Sequence, residues 1–230
     1  AQSKPSITDN LYPIYLDAHG IPGYNLARLQ NHARQGIGME INQSQPATNP
    51  IFLVVGPPAV GKSSTSRALA SRFAKSLHIP VDDLREMVIS GKLLPGAVWS
   101  EALARQVALA RSSAVHMALT YHQAGFVVVI DDFWDAEHLS DYQALFAHPA
   151  LRRIVLFPGQ SAAHQRNLQR SGASPARAYI DEGIQIVYQQ LNASLPQLEG
   201  QGWMLVDTTA LSVAETVSAI LERTQQQPGP

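Results

Sequence analysis

The chain has 230 residues, of which 45% are hydrophobic and 15% charged, and its formal net charge is −1. This length suits one α/β domain with an added segment, and the near-neutral charge disfavours a long polyanion as the main partner. The absence of cysteine excludes disulfides and thiol catalysis, and no apolar run reaches the roughly 20 residues that cross a bilayer. We therefore expect a cytoplasmic protein without a membrane partner.

Residues 1–50 differ from the rest of the chain. Proline and glycine interrupt them, and they end in the linker-like sequence NQSQPATNP. They contain one amphipathic candidate helix, at 25–35. We expect these residues to form an appendage packed on a main domain of residues 51–225, with a frayed tail at 226–230.

Five short apolar runs alternate with longer stretches of helical period in the main domain. Their content of Val, Ile and Leu is nearly unbroken, which indicates burial on both faces and therefore a parallel sheet covered by helices, an α/β fold. The predicted strands are 51–55, 77–81, 126–130, 153–157 and 203–206. Helices are predicted near 62–75, 84–90, 98–124, 136–146, 161–170, 176–194 and 211–224.

A glycine-rich loop follows the first apolar run. The sequence GPPAVGKSS, residues 56–64, fits the phosphate-loop pattern G-x-x-x-x-G-K-[ST], with a predicted strand before it and a helix after it. Backbone N–H groups and the positive helix end surround a phosphate in such a loop. The lysine is a point charge for the β- and γ-phosphates, and the serine hydroxyl is a Mg²⁺ ligand. ATP and Mg²⁺ are therefore the predicted cofactors, and the predicted nucleotide-binding residues are Gly56, Ala59, Val60, Gly61, Lys62, Ser63 and Ser64.

A magnesium site of this kind takes a further carboxylate, normally at the end of an apolar strand. FVVVIDDFW supplies Asp131, which directly continues the strand and is the predicted metal ligand beside Ser63, with Asp132 as the alternative. The sequence lacks the glutamate that typically polarises water in motor ATPases at this place, and it contains neither the guanine-reading Asn-Lys-x-Asp element nor an LSGGQ transporter signature. We therefore expect phosphoryl transfer to a bound acceptor other than water.

The acceptor side of the site is predicted in HIPVDDLREMV, after the second strand. Ligands of a doubly wound sheet gather beyond the carboxyl ends of its strands, so Asp82, Asp83 and Arg85 should face the same cleft as Lys62. We assign Asp82 as the base that accepts the hydroxyl proton and Arg85 as the clamp on the acceptor. The alternative is that Asp82 or Asp83 caps a helix beginning at Leu84.

A basic stretch lies between Asp141 and Asp181, where the sequence has arginines but no Asp or Glu. Arg166 and Arg170 are four residues apart, on one face of a predicted helix and just before a Ser-Gly-Ala-Ser hinge. On a closing lid at about 158–180 they would stabilise the charge on the transferred phosphoryl group, a catalytic role. The alternative is a solvated helix face. Further on, WMLVDTTA ends the last predicted strand with Asp207, Thr208 and Thr209, and we expect this polar end to border the adenine or to cap the last helix.

The order of these motifs resembles a family. GPPAVGKSS, D-D-x-R after the second strand, an aspartate after the third, an arginine-bearing lid and W-x-L-V-D-T-T are similar to the small P-loop kinases of the zeta-toxin, chloramphenicol phosphotransferase and polynucleotide 5′-kinase type. The resemblance covers about 51–225. It implies a P-loop NTPase fold with a five-stranded parallel sheet and a mobile lid, and ATP-dependent phosphorylation of a hydroxyl. It also implies that Asp82 activates the acceptor, that Arg85 binds it and that Arg166 or Arg170 serves the lid.

Three functions follow from these observations. The first is a kinase for a hydroxyl of a small molecule, either a metabolite or an antibiotic. The second is a polynucleotide 5′-hydroxyl kinase, which the modest arginine count disfavours. The third is a zeta-toxin-like kinase, or a nucleotide-binding regulator without turnover. Residues that could line the acceptor pocket are Tyr12, Trp99, Glu101, Phe133 and Trp134, and the sequence leaves the acceptor and the oligomeric state open.

Overall fold

The computed structural model describes residues 15–16, 22–23, 49–94, 99–174 and 176–226. The chain divides into two compact units, Ala1–Gln45 and Pro46–Pro230. In the first unit, Tyr15–Leu16 and Pro22–Gly23 pair as antiparallel strands. The helix predicted at 25–35 lies outside the described residues, and the packing of the appendage stays a prediction.

The second unit is built on one sheet of five parallel strands. They are β1 (Ile51–Val55), β2 (Ser76–Pro80), β3 (Val127–Asp131), β4 (Leu151–Leu156) and β5 (Trp203–Val206). Their order in the sheet is β2-β3-β1-β4-β5, with β1 in the centre. The predicted five-stranded parallel sheet is confirmed, and each strand lies within two residues of its predicted position.

Helices connect the strands. They are α1 (Lys62–Ala70), α2 (Val81–Glu86), α3 (Glu101–Gln123), a 3-10 segment (Ala136–Tyr142) that leads into α4 (Gln143–Phe146), α5 (Gln160–Ser171), α6 (Ala176–Leu198) and α7 (Val213–Gln226). The α3 helix begins after Ser100, whose hydroxyl accepts a hydrogen bond from Leu103 N at 3.1 Å. At 1.5 Å per residue α3 is about 34 Å long.

Several predicted helix ends are wrong, and two of them lie next to the site. The first helix stops at Ala70 and not at 75: the chain continues in tighter turns, in which Arg72 N donates to Leu69 O and Phe73 N donates to Ala70 O. The second helix begins at Val81 and not at 84, directly where β2 ends. This earlier start places both Asp82 and Asp83 inside its first turn.

The sheet is buried on both faces. Along β1, Ile51, Leu53 and Val55 belong to one apolar cluster, whereas Phe52 and Val54 belong to the other, and all five are at most 1% exposed. The first cluster packs against α3 and the second against α1 and α7. Because full burial of one such side chain is worth about 1.5–3 kcal/mol, the central strand is a fixed base for the loop that follows it.

The carboxyl ends of the strands meet at one edge of the sheet. The segments that leave this edge begin at Gly56, Val81, Asp132, Phe157 and Asp207. In a sheet of this order, ligands bind in the crevice at that edge, at the point where successive connections leave in opposite directions along the sheet. All the motifs singled out in the sequence of the second unit therefore lie on this side of the sheet or on the helices that follow it.

Candidate active site

The loop of residues 56–61 requires glycine at two positions. Gly56 has φ of +154°, and a Cβ atom there would lie 2.4 Å from the Leu156 carbonyl oxygen. Gly61 has φ of +94°, but no atom of the described residues lies within 4 Å of the position of its Cβ. Ala59 between them has φ of +60°, in the left-handed region. The loop thus turns sharply at its base and leaves open space at its end.

The α1 helix begins where this loop ends. Its first intrahelical hydrogen bond runs from Thr65 N to Gly61 O at 2.9 Å, so the amides before Thr65 have no helical acceptor. The first turn contains no acidic residue, and the helix dipole there favours an anion. Lys62 Nζ donates to the Pro57 carbonyl oxygen at 2.8 Å, across the loop. These donors fit a polyphosphate.

The electrostatic surroundings of Lys62 bring the predicted site residues together. Burial lowers the pKa of the Lys62 ammonium. The carboxylates of Asp82, Asp131 and Asp132 act on this pKa in the opposite direction, and the Arg170 guanidinium acts in the same direction as burial. Asp82, Asp131, Asp132 and Arg170 therefore lie within electrostatic range of Lys62.

Ser63 and Asp131 meet at the end of β3. The Ser63 hydroxyl donates to Asp131 Oδ1 at 2.9 Å, and the other carboxylate oxygen contacts His78 Nε2 on the neighbouring strand β2. A serine hydroxyl and a carboxylate are hard oxygen donors, the type that Mg²⁺ prefers when phosphates and water complete its shell. The residues present therefore fit a magnesium site. His78 was missed, because one histidine in an apolar strand has no distinctive spacing.

The predicted acceptor residues lie on α2. Arg85 Nη1 donates to Asp82 Oδ1 at 3.2 Å, and 69% of the Asp82 side chain is exposed, against 15% for Arg85. The position before the helix is Pro80, so the alternative in which Asp82 or Asp83 caps the helix is wrong. Both aspartates lie in the first turn, where the dipole favours negative charge, and the Asp82 carboxylate is accessible to a substrate.

The two arginines of α5 have different surroundings. The Arg166 guanidinium donates to Val60 O at 3.1 Å and to Thr208 O at 2.6 Å, so it ties α5 to the phosphate loop and to the segment after β5. Arg170 is exposed and influences Lys62 electrostatically. Their catalytic roles stay predictions.

A buried polar network joins α5 to α6. Asn167 is fully buried, and its Nδ2 donates to Arg177 O at 3.1 Å and to Asp181 Oδ1 at 2.9 Å. His164 Nδ1 lies 2.8 Å from the same carboxylate oxygen. The hydrogen bond from Asn167, followed by that from His164, lowers the pKa of Asp181. The predicted lid is therefore held together at its base by the Asp181 carboxylate.

The candidate pocket residues separate into three groups. Trp99 is 42% exposed and packs edge-on against the half-buried Phe133, with ring centroids 5.9 Å apart. Trp134 is a core residue, 1% exposed, and Glu101 pairs with Arg105 on the surface of α3. Tyr12 lies outside the described residues. Trp99 and Phe133 therefore form an aromatic pair near the end of β3.

Asp207 does not cap the last helix. Its Oδ1 accepts a hydrogen bond from Thr209 N at 2.8 Å, within the turn after β5. The start of α7 is instead capped by Ser212 and Glu215: Glu215 N donates to Ser212 Oγ at 3.2 Å, and Ser212 N donates to Glu215 Oε2 at 2.8 Å. The capping alternative for Asp207 is therefore wrong, and its position beside an adenine stays a prediction.

Sequence reasoning also missed a buried arginine. Arg111 on α3 is 1% exposed and pairs with Asp132, Asp135 and Asp141. An arginine in a long helix ordinarily indicates a solvated face. The sequence does contain one signal for this buried cation. More carboxylates follow β3 than a metal site needs, so the others require another positive partner.

The chain is similar to known proteins both in its sequence family and in its fold. A family model described as chloramphenicol phosphotransferase-like protein matches residues 49–225. The chain belongs to the chloramphenicol phosphotransferase-like family. The predicted resemblance to small P-loop kinases is thereby confirmed. No curated protein matches the chain.

Solved structures similar to this family member share its fold. The tunicamycin resistance protein of Deinococcus radiodurans is 18% identical with a TM-score of 0.55, and the match covers 79% of this chain and 99% of that one. A gluconokinase from Sinorhizobium meliloti 1021 is 19% identical with a TM-score of 0.52, covering 79% and 96%. Shikimate kinase from Acinetobacter baumannii in complex with shikimate is 16% identical with a TM-score of 0.55, covering 78% and 95%.

Family and fold together support a P-loop small-molecule kinase. Over the described ranges, none of the helices is long and apolar enough to cross a membrane.

Proposed function

We propose that this member of the chloramphenicol phosphotransferase-like family is an ATP-dependent kinase that transfers the γ-phosphate to a hydroxyl group of a small molecule. The observation that carries the proposal is the grouping of Lys62 with the Ser63–Asp131 pair and with the carboxylate of Asp82. One cation, one oxygen-ligand pair and one exposed base are what such a transfer requires. Because the reaction consumes ATP, we propose the cytoplasm as its compartment.

The phosphate loop binds the donor. The free amides at the start of α1 and the Lys62 ammonium bind the phosphates, and Ser63 with Asp131 holds Mg²⁺. A Mg²⁺ ion held by Ser63 and Asp131 would supply positive charge that offsets the negative charge of the phosphates. When phosphates bind, the Lys62 ammonium gives up its hydrogen bond to Pro57 O and binds phosphate oxygens instead. A hydrogen bond between two charged groups is stronger than one to a neutral carbonyl oxygen.

The acceptor binds above α2. Its hydroxyl oxygen forms a bond to the γ-phosphorus, the hydroxyl proton goes to the Asp82 carboxylate, and ADP leaves with the electron pair of the broken bond. Arg85 holds Asp82 in place through the 3.2 Å contact and is the clamp for the acceptor. Arg170 neutralises the charge on the transferred phosphoryl group, and Arg166 does so as well when the lid moves.

Exposed apolar side chains in the segment that follows α2 favour a small organic acceptor over a nucleic-acid end. Met87, Ile89 and Leu94 follow α2 and are 69%, 93% and 71% exposed, and Trp99 precedes α3. A nucleic-acid groove would instead carry basic groups with stacking aromatics. The family name makes an amphenicol hydroxyl the first acceptor to test.

The decisive experiment measures ADP release by the purified chain in the presence of Mg²⁺. The acceptors are chloramphenicol, tunicamycin, gluconate, shikimate, nucleosides and a 5′-hydroxyl oligonucleotide. We expect release with a small hydroxyl compound and none without added metal. Failure of the protein to bind ADP or ATP in the presence of Mg²⁺ would refute the proposal, and release with the oligonucleotide alone would make it a polynucleotide kinase.

Replacing Asp82 by Asn should lower turnover of the acceptor found in this screen by about 100-fold or more, because the carboxylate can no longer accept the hydroxyl proton. The nucleotide should bind at least as tightly as to the wild type, because the substitution removes a negative charge that acts on Lys62. The matched control is Asp83→Asn, which removes the same charge from the neighbouring position of α2. Equal activity in the two variants would remove Asp82 as the base.

A further inference from the structure

Arg111 is surrounded by three carboxylates from the chain segment that follows β3. Its Nε donates to Asp132 Oδ2 at 2.6 Å, and its Nη1 donates to Asp141 Oδ2 at 3.1 Å and to Asp135 Oδ2 at 3.2 Å. The ring of Phe133 covers the guanidinium, with its centroid 4.8 Å from Cζ. The arginine is thus fully enclosed by the segment 132–141.

The hydrogen-bonding capacity of Asp132 is used within this cluster. Besides the bond from Arg111, its Oδ2 accepts from the Tyr142 hydroxyl at 2.8 Å, and its Oδ1 accepts from Phe133 N at 2.8 Å. These donors stabilise the ionised form of Asp132. We therefore assign Asp132 as a carboxylate whose negative charge is neutralised by Arg111.

The two adjacent aspartates therefore have opposite surroundings. Asp131 faces Ser63 and His78 at the phosphate loop, whereas Asp132 faces α3, as expected for consecutive residues of an extended chain. Asp132 is still close enough to influence Lys62. Without its cation, this carboxylate would repel the phosphates of a nucleotide and would compete with Asp131 for a metal ion.

We propose that Arg111 is a positioning residue of the nucleotide site: it neutralises Asp132 and holds it on α3, so that of the two adjacent aspartates only Asp131 serves the phosphate loop. This inference rests on the proposed nucleotide binding. The simpler role would be an anchor that folds the segment 132–141 onto α3. The two roles differ in one respect, because the positioning role depends on the charge of Asp132 and the anchoring role does not.

The test measures ADP affinity by calorimetric titration of the full chain, once with EDTA and once with Mg²⁺. In Arg111→Met, the uncompensated Asp132 should weaken metal-free ADP binding by about tenfold, the size expected for one unit charge acting in a partly buried site. The loss should be smaller with Mg²⁺, because the metal offsets the added negative charge. Arg111→Lys keeps the positive charge and should bind ADP within about twofold of the wild type.

The double variant Arg111→Met/Asp132→Asn separates the two roles. Positioning through charge predicts that it regains metal-free ADP affinity, since the uncompensated carboxylate is gone. An anchor predicts that it binds ADP as poorly as Arg111→Met, and this result would overturn the inference. Wild-type affinity in Arg111→Met would overturn it as well.

A single pair of variants keeps the test decisive if Arg111→Met does not fold, as judged by circular dichroism. Asp132→Asn should retain the effect of Mg²⁺ on ADP binding, and Asp131→Asn should lose it. The reverse pattern would make Asp132 the metal ligand and would refute the inference. A wild type that binds no ADP at all would instead refute the proposed function.

Discussion

Gly56 and Gly61 both have positive φ, but they differ in the space around them. A side chain at Gly56 collides with the backbone of β4, whereas a side chain at Gly61 meets open space. The first glycine therefore allows the loop to pass close to the neighbouring strand. Gly61 is needed only because α1 starts from a backbone conformation with positive φ, which glycine adopts readily.

Alanine substitutions should reveal this difference. Gly56→Ala combines an unfavourable φ with a collision at 2.4 Å and should lower the free energy of unfolding by about 3 kcal/mol or more. Gly61→Ala has only the conformational cost and should lose about 1–2 kcal/mol. Equilibrium denaturation in guanidinium chloride measures both values. Equal losses would mean that the close approach to Leu156 does not constrain the loop.

At the scale of elements, the junction of α5 with α6 depends on one ionised carboxylate. Because hydrogen bonds lower the pKa of Asp181 below its ordinary value, the unfolded state binds more protons in acid than the folded state. The stabilisation is present above about pH 4 and is lost as the pH falls through the lower folded-state pKa.

In Asp181→Asn, the junction should therefore be less sensitive to acid than in the wild type. Hydrogen exchange of residues 160–181, followed by mass spectrometry from pH 6 down to about pH 3, measures this. Protection in the wild type should fall over that range, while the variant starts lower and changes little. Glu182→Gln removes an exposed carboxylate from the same helix and is the control. A wild-type profile in Asp181→Asn would show that this carboxylate does not hold the junction.

At the scale of the whole molecule, nucleotide binding and folding stability are linked. A ligand that binds only the folded state at 100 times its dissociation constant adds about 2.7 kcal/mol to the free energy of unfolding. For a domain of this size that corresponds to roughly 5–10 °C in Tm. Thermal unfolding with and without Mg²⁺ and ADP should show this shift in the wild type and a much smaller one in Lys62→Met. The same shift in both proteins would place the nucleotide away from the phosphate loop.

The sequence predicts the sheet and the phosphate loop because their signals are local. Ile51–Val55 is apolar without interruption, and the glycines, lysine and serine follow at fixed spacing. Residues that act across the fold have no such signal. Arg111 reaches its carboxylate partners over 21 to 30 positions, and Arg166 reaches Thr208 over 42. Helix ends such as Ala70 also lack a clear signal, because the turns that follow Ala70 are made by backbone hydrogen bonds that apolar periodicity does not predict.

The aromatic residues give the molecule two separate optical signals. Trp134 and Trp203 pack edge-on in the core, 1% and 3% exposed, whereas Trp99 packs against Phe133 after the end of β3 with almost half of its surface open. Emission from the buried pair reports on the integrity of the core, and quenching by a small solute such as acrylamide selects Trp99. Comparing the native chain with Trp99→Phe therefore separates a ligand that covers Trp99 from loss of structure without any attached dye.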